Sequence, residues 1–118
     1  MFGNDYNTID GTGVRDYIHV VDLAKGHIAT LKKLENSGLY IYNLGSGKGY
    51  SVLELVNTFE KVNDVKVNYK IVGKRKGDLA EYFADISKAQ KELSWEPEKT
   101  LEDMCRDSWN FMKKEMNK

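Results

Sequence analysis

Hydrophobic side chains recur along this chain at two different periods, and the alternation divides it into short strands and longer helices. Residues 17–21 are β-branched and aromatic and read as a strand. Asp22 then stands where the N-cap of a helix belongs. Leu23, Ala24, His27, Ile28, Leu31 and Leu34 share one face of that helix, which runs over about residues 23–35. Residues 39–44 read as a second strand. Ser51 and Glu54 have the spacing of a capping box, and Val52, Leu55, Val56, Phe59 and Val62 follow at helical spacing.

The rest of the chain continues in the same manner. Residues 67–72 alternate as a further strand, and residues 81–85 read as a short extended piece. Ser87 is expected to cap a helix ending near Leu93. Pro97 interrupts helix formation before Thr100 and Asp103 open the last helix, whose apolar side carries Leu101, Met104, Cys105, Ser108 and Met112. Short strands alternating with helices give an α/β fold class for a single domain over residues 1–118. Its sheet edges are expected to need a cover, and in its absence to favour self-association.

Composition narrows the classes of function. Hydrophobic residues make up 41% and charged residues 31%, which fits a globular chain. With 18 basic and 18 acidic side chains the formal net charge is zero, so bulk electrostatics argues for no nucleic acid and no membrane partner. No apolar run approaches the roughly eighteen residues of a membrane span, and the start lacks a signal-peptide pattern. Cys105 is the lone cysteine and cannot form an internal disulfide, which suits a reducing cytoplasm. Its place on an apolar helix face makes it a small buried hydrophobe. Nothing has metal-ligand spacing. His19 and His27 are read as packed or surface side chains rather than catalytic ones.

Candidate chemistry concentrates in two stretches. Asp10, Gly11 and Gly13 form a turn leading into the first strand, and Arg15 lies where that turn ends, placed to grip an anion bidentately. Asp16 and Asp22 are its alternative, salt-bridging partners. Lys74, Arg75, Lys76, Gly77 and Asp78 form a second basic turn, which a diphosphate would require from a different loop. The plain alternative is a solvated charged turn. A third stretch, Gly45-Ser46-Gly47-Lys48-Gly49, imitates a phosphate-binding loop. Its glycines are spaced one residue short of the dinucleotide fingerprint, and Gly49 replaces the Ser or Thr of a P-loop. A tight strand-to-helix connection is the expectation there.

Taken in order, the motifs carry a resemblance. They are Phe2-Gly3-Asn4-Asp5-Tyr6, then Asp10 through Val20, Tyr42-Asn43-Leu44-Gly45, Arg75-Lys76-Gly77-Asp78, Ala84-Asp85, Ser87-Lys88-Ala89 and the last helix around Trp109. This series resembles the carboxyl-terminal third of the UDP-glucose 4-epimerases, in the extended short-chain dehydrogenase/reductase superfamily. The resemblance implies a carboxyl-terminal UDP-sugar-binding lobe without the Rossmann cofactor portion, and hence a piece of a longer enzyme. It implies Arg15 and Arg75 on the diphosphate, Asp78 on the ribose, Tyr17 on the nucleotide, and Phe2 beside the uracil. Tyr82 falls at the position that limits the sugar's 2-substituent, implying glucose and galactose over their N-acetyl forms.

In such enzymes bound NAD takes a hydride from the sugar's C4 while a tyrosine removes the hydroxyl proton, and the 4-keto sugar rotates before the hydride returns. The catalytic pair is Tyr-x-x-x-Lys. Every tyrosine here (Tyr6, Tyr17, Tyr40, Tyr42, Tyr50, Tyr69 and Tyr82) lacks a lysine four places on. The expectation is therefore that this chain holds no catalytic residue and no NAD of its own, and that it does not epimerise alone. It would grip UDP-glucose or UDP-galactose beside a missing amino-terminal portion. A nucleotide-sugar decarboxylase or dehydratase of the same superfamily is one alternative. A non-catalytic nucleotide-sugar-binding module is the other.

Overall fold

Gly13 ends a turn whose geometry Asp10 sets, its carboxylate accepting hydrogen bonds from the amide and hydroxyl of Thr12. The chain leaves this turn as β1 (Val14–Arg15), paired antiparallel with β2 (Tyr50–Ser51) in the register Val14 to Ser51 and Arg15 to Tyr50. In the computed structural model, which describes residues 1–116, four helices complete the α/β fold: α1 (Val20–Leu31), α2 (Val52–Asn63), α3 (Ser87–Leu93) and α4 (Leu101–Met116). A 3-10 turn (Lys32–Glu35) extends α1.

Three of the expected strands are not strands. Residues 17–19 form no strand, and α1 begins at Val20 because the extended His19 is its N-cap, with the imidazole accepting from the Val21 amide at 3.0 Å. Asp22 is therefore a first-turn residue and not the cap. Residues 39–44 and 67–72 also form no strand, apart from an isolated parallel bridge between Phe2 and Val72. Their side-chain pattern suits a sheet, but a ladder needs a neighbouring backbone along its length, and among the described residues, residues 1–3 meet only the end of 67–72.

The caps were more readily foreseen, with one exception. Ser51 accepts from the Glu54 amide at 3.0 Å, and Thr100 and Asp103 bond each other's amides reciprocally, closing a capping box. Ser87, by contrast, is the first residue of α3 and not its cap. Asp85 supplies the acceptor instead, bonding the Ser87 amide at 3.0 Å and its hydroxyl at 2.6 Å.

Ile86, Ala89 and Trp95 form the core, with Ile18, Ala29, Tyr42 and Leu44 packed on it. Gly26 lets α1 approach this core: a Cβ there would meet Leu44 at 2.6 Å. The second contact is α2 against α4, where Phe59 and Trp109 meet edge to face at 5.8 Å and Cys105 is buried. Ser108 and Met112, further along α4, remain exposed. So does much of the apolar face of α1 and its extension: Ile28, Leu31 and Leu34 are all at least 60% exposed. Among the described residues, no helix is long and apolar enough to cross a membrane.

Candidate functional site

Segment 80–82 runs beside β1. Val14 donates its amide to the Ala80 carbonyl at 2.8 Å and accepts from the Tyr82 amide at 3.0 Å. This pairing delivers Tyr82 to Arg15, whose guanidinium carbon lies 4.5 Å from the ring centroid. The guanidinium folds back so that Nη1 donates to the Val14 carbonyl at 2.8 Å and reaches that of Ala80 at 3.4 Å. Gly13 leaves room for it, since a Cβ there would come within 3.1 Å of both terminal nitrogens. Tyr17 belongs to the same group. Burial raises its phenol above the ordinary value, and nearby Tyr82 adds to the rise while Arg15 opposes it.

The other three predicted residues meet at a second place. The Gly3 amide bonds the Val72 carbonyl at 2.8 Å and the Val72 amide bonds Met1 at 2.9 Å, which holds Phe2 beside segment 72–78. Arg75 then stacks over the Phe2 ring at 4.5 Å and pairs with Asp78 at 2.8 Å. Phe2 is 47% exposed, so its outward face is open. Asp78 thus has Arg75 as its partner within the chain. Lys74 turns away from this pair, toward the Tyr6 ring at 4.5 Å and Asp5 at 3.4 Å. One continuous segment, residues 72–82, serves both groups, bonding Phe2's neighbours at one end and Val14 at the other.

Neither of the alternative partners foreseen for Arg15 takes it. Asp22 is fully buried and accepts the amides of Glu98 at 3.1 Å and Lys99 at 2.9 Å. Asp16 turns to the opposite side of its segment. Its Oδ1 accepts from the amide and hydroxyl of Ser46, both at 2.8 Å, and its Oδ2 from the amides of Gly47 at 3.3 Å and Ala84 at 3.1 Å. This settles the Gly-rich turn at residues 45–49. Its amides form an anion-binding concavity of the kind that holds phosphates, and a carboxylate of the chain itself fills it. The residues of this turn do not fit the pyrophosphate of NAD.

Sequence reasoning did not pair Asp16 with Ser46. The signal available was the turn's anion-accepting shape, which names a charge but not its source. His19 is packed, as expected. Its Nδ1 accepts from Val21, so Nε2 carries the proton and donates to Asp107 at 2.7 Å, tying α1 to α4. His27 is exposed and bonds the Leu23 carbonyl. Burial raises the Cys105 thiol above its ordinary value, with Glu102 adding to the effect. Among the described residues, no group of three His, Cys, Asp or Glu side chains is placed to hold a metal ion.

Comparison with known proteins places this geometry. The family described as GDP-mannose 4,6 dehydratase matches residues 1–108. A UDP-glucose 4-epimerase of Bacillus subtilis is 57% identical over 99% of this chain and 35% of its own length. A UDP-glucose 4-epimerase of Homo sapiens is 58% identical, over 96% of this chain and 33% of its own length. The crystal structure of UDP-glucose 4-epimerase from Bifidobacterium longum, in complex with NAD+ and UDP, superposes with a TM-score of 0.92 at 52% identity. It covers 98% of this chain and 35% of its own. The chain therefore spans about a third of the length of the relatives it matches. It belongs to the GDP-mannose 4,6 dehydratase family, and within that family it is similar to the carboxyl-terminal portion of UDP-glucose 4-epimerases.

Proposed function

We propose that this chain is the nucleotide-gripping lobe of a UDP-glucose 4-epimerase, the enzyme that interconverts UDP-glucose and UDP-galactose. Arg15 and Arg75 hold the diphosphate, Tyr17 lies against the nucleotide, and Phe2 flanks the uracil. Asp78 holds Arg75 in place and exchanges that partner for the ribose hydroxyls on binding. Tyr82 bounds the space beside the sugar's C2. The observation that carries this reading is the Arg15–Tyr82 stack at 4.5 Å, assembled from two distant segments with Tyr82 54% exposed. A guanidinium so held keeps donors in a fixed plane, and each charged hydrogen bond to phosphate contributes about 1.5–3 kcal/mol.

The lobe's part in catalysis is binding energy. Gripping the nucleotide firmly, away from the reacting carbon, positions the sugar while leaving it free to turn. The hydride chemistry of NAD belongs to the remaining two thirds of the enzyme. No residue of this chain takes a proton from the sugar, so the lobe is inactive alone.

Titration of the chain with UDP, followed by amide NMR, tests the reading. Saturable shifts at Tyr17, Asp78 and the two arginines are expected, moving to higher UDP concentrations in Arg15→Ala and Arg75→Ala. A folded chain that shows none at millimolar UDP defeats autonomous binding. Mixing with the amino-terminal portion of the Bacillus subtilis relative then decides whether the lobe completes an enzyme: turnover should need both polypeptides.

A further inference from the structure

We propose that Asp16 is a positioning residue, whose carboxylate draws two loops together and thereby holds Tyr82 in contact with Arg15. It deepens the UDP-binding reading above and rests on it for its ligand arm. The carboxylate collects four donors. Three come from the turn at residues 46–47 and the fourth is the amide of Ala84, two residues beyond Tyr82. Gly45 is part of the fit, because a Cβ there would lie 2.5 Å from Asp16 Oδ2 and 3.0 Å from the Ala84 Cβ.

Tyr82 is consequently pinned on both sides. Upstream, the Ala80 carbonyl takes the Val14 amide, and the Tyr82 amide reaches the Val14 carbonyl. Downstream, the Ala84 amide donates to Asp16 and the Ala84 side chain packs on the core of Ile86, Ala89 and Trp95. Tyr82 itself is 54% exposed, so packing does little to hold its ring, and these backbone anchors set its place. The alternation of an extended segment separates the two neighbours' tasks: Arg15 faces the stack and Asp16 faces away. The carboxylate accepts its hydrogen bonds from these four donors and forms no ion pair with Arg15.

Asp16→Asn keeps the shape but replaces one acceptor oxygen with an NH2 group, which opposes a donor and leaves an amide without its partner. Ser46→Ala removes one donor and touches neither Arg15 nor Tyr82. The ring current of Tyr82 marks the Arg15 Nε–H resonance, and Tyr82→Leu gives its unstacked position. Asp16→Asn and Ser46→Ala are both expected to move the resonance toward that position, Asp16→Asn further. UDP affinity should fall on the order of tenfold in Asp16→Asn, and the double variant with Arg15→Ala should bind no more weakly than Arg15→Ala alone.

An Arg15 resonance unmoved in folded Asp16→Asn and Ser46→Ala overturns the proposal, as do independent, additive losses of affinity. Should Asp16→Asn not fold, Ser46→Ala alone decides on the same resonance. Should the unaltered chain bind no UDP, the ligand reading fails, and the resonance still decides whether Asp16 sets the stack.

Discussion

Asp16 and Ser46 stand thirty residues apart and close the Gly-rich turn between them, with the amide and hydroxyl of Ser46 both 2.8 Å from the same carboxylate oxygen. The turn already contains its anion. Gly45→Ala would drive a methyl group to 2.5 Å from that carboxylate. It should cost about 1–3 kcal/mol of stability. A urea midpoint equal to that of the unaltered chain would show that the loop simply moves aside.

Asp22 ties α1 to the connection before α4. Its carboxylate serves the amides of Glu98 and Lys99, and its carbonyl takes the Trp95 indole N–H at 3.0 Å. Asp22→Ala leaves two amides without acceptors and should destabilise the chain by about 2–4 kcal/mol. Asp22→Asn, which keeps one carbonyl acceptor, should cost less. Equal losses in thermal or urea melts would mean that volume, rather than hydrogen bonding, matters at this position.

Acid should weaken the fold through carboxylates that accept hydrogen bonds. Burial works to raise the Asp10 carboxyl, but bonds from Ser51 and Thr12 together outweigh it and bring it below the ordinary 3.8. Bonds from Ser87 lower Asp85, and bonds from Thr100 lower Asp103. With native values below the unfolded one, the stabilisation is complete above pH 3.8 and disappears as the pH falls through the native values. Ser51→Ala should move the Asp10 carboxyl resonance's midpoint upward. A midpoint that stays put would remove Ser51 from the explanation.

Tyr82 should set which sugars a reconstituted enzyme accepts. Tyr82→Ala opens the space beside C2 and should improve the ratio of turnover on UDP-N-acetylglucosamine to that on UDP-glucose by about tenfold. Steady-state rates with both substrates measure it. A ratio unchanged while both rates fall would make Tyr82 a support for Arg15 only.

How much of this was legible depends on where each partner lies. Ser51 with Glu54 and Thr100 with Asp103 bond within three residues, so their caps could be read from spacing. The same holds for Arg75 and Asp78 as one basic turn. Asp16 bonds Ala84 across 68 residues and Asp22 bonds Lys99 across 77, through backbone amides that every residue possesses. Periodicity contains no trace of such pairs. Residues 39–44 and 67–72 mislead for a related reason: alternation reports that a segment suits a sheet, not that a neighbouring strand is present. At residues 17–21 the β-branched composition was outweighed by one local bond, from the Val21 amide to His19.

Residues 39–44 run outside any helix or strand with Leu39 86% and Ile41 64% exposed, anchored by the Lys88 ammonium on the Ile41 carbonyl and the Tyr42 hydroxyl on Glu92. Proteases accept substrates as extended strands added to an edge of their own. Tyr42 is packed on the core, so it is Tyr40 that this stretch offers to a chymotryptic cleft. Digestion should therefore report on assembly: a nick at Tyr40 is expected in the chain alone, and its loss on mixing with the amino-terminal portion would show that this backbone becomes covered.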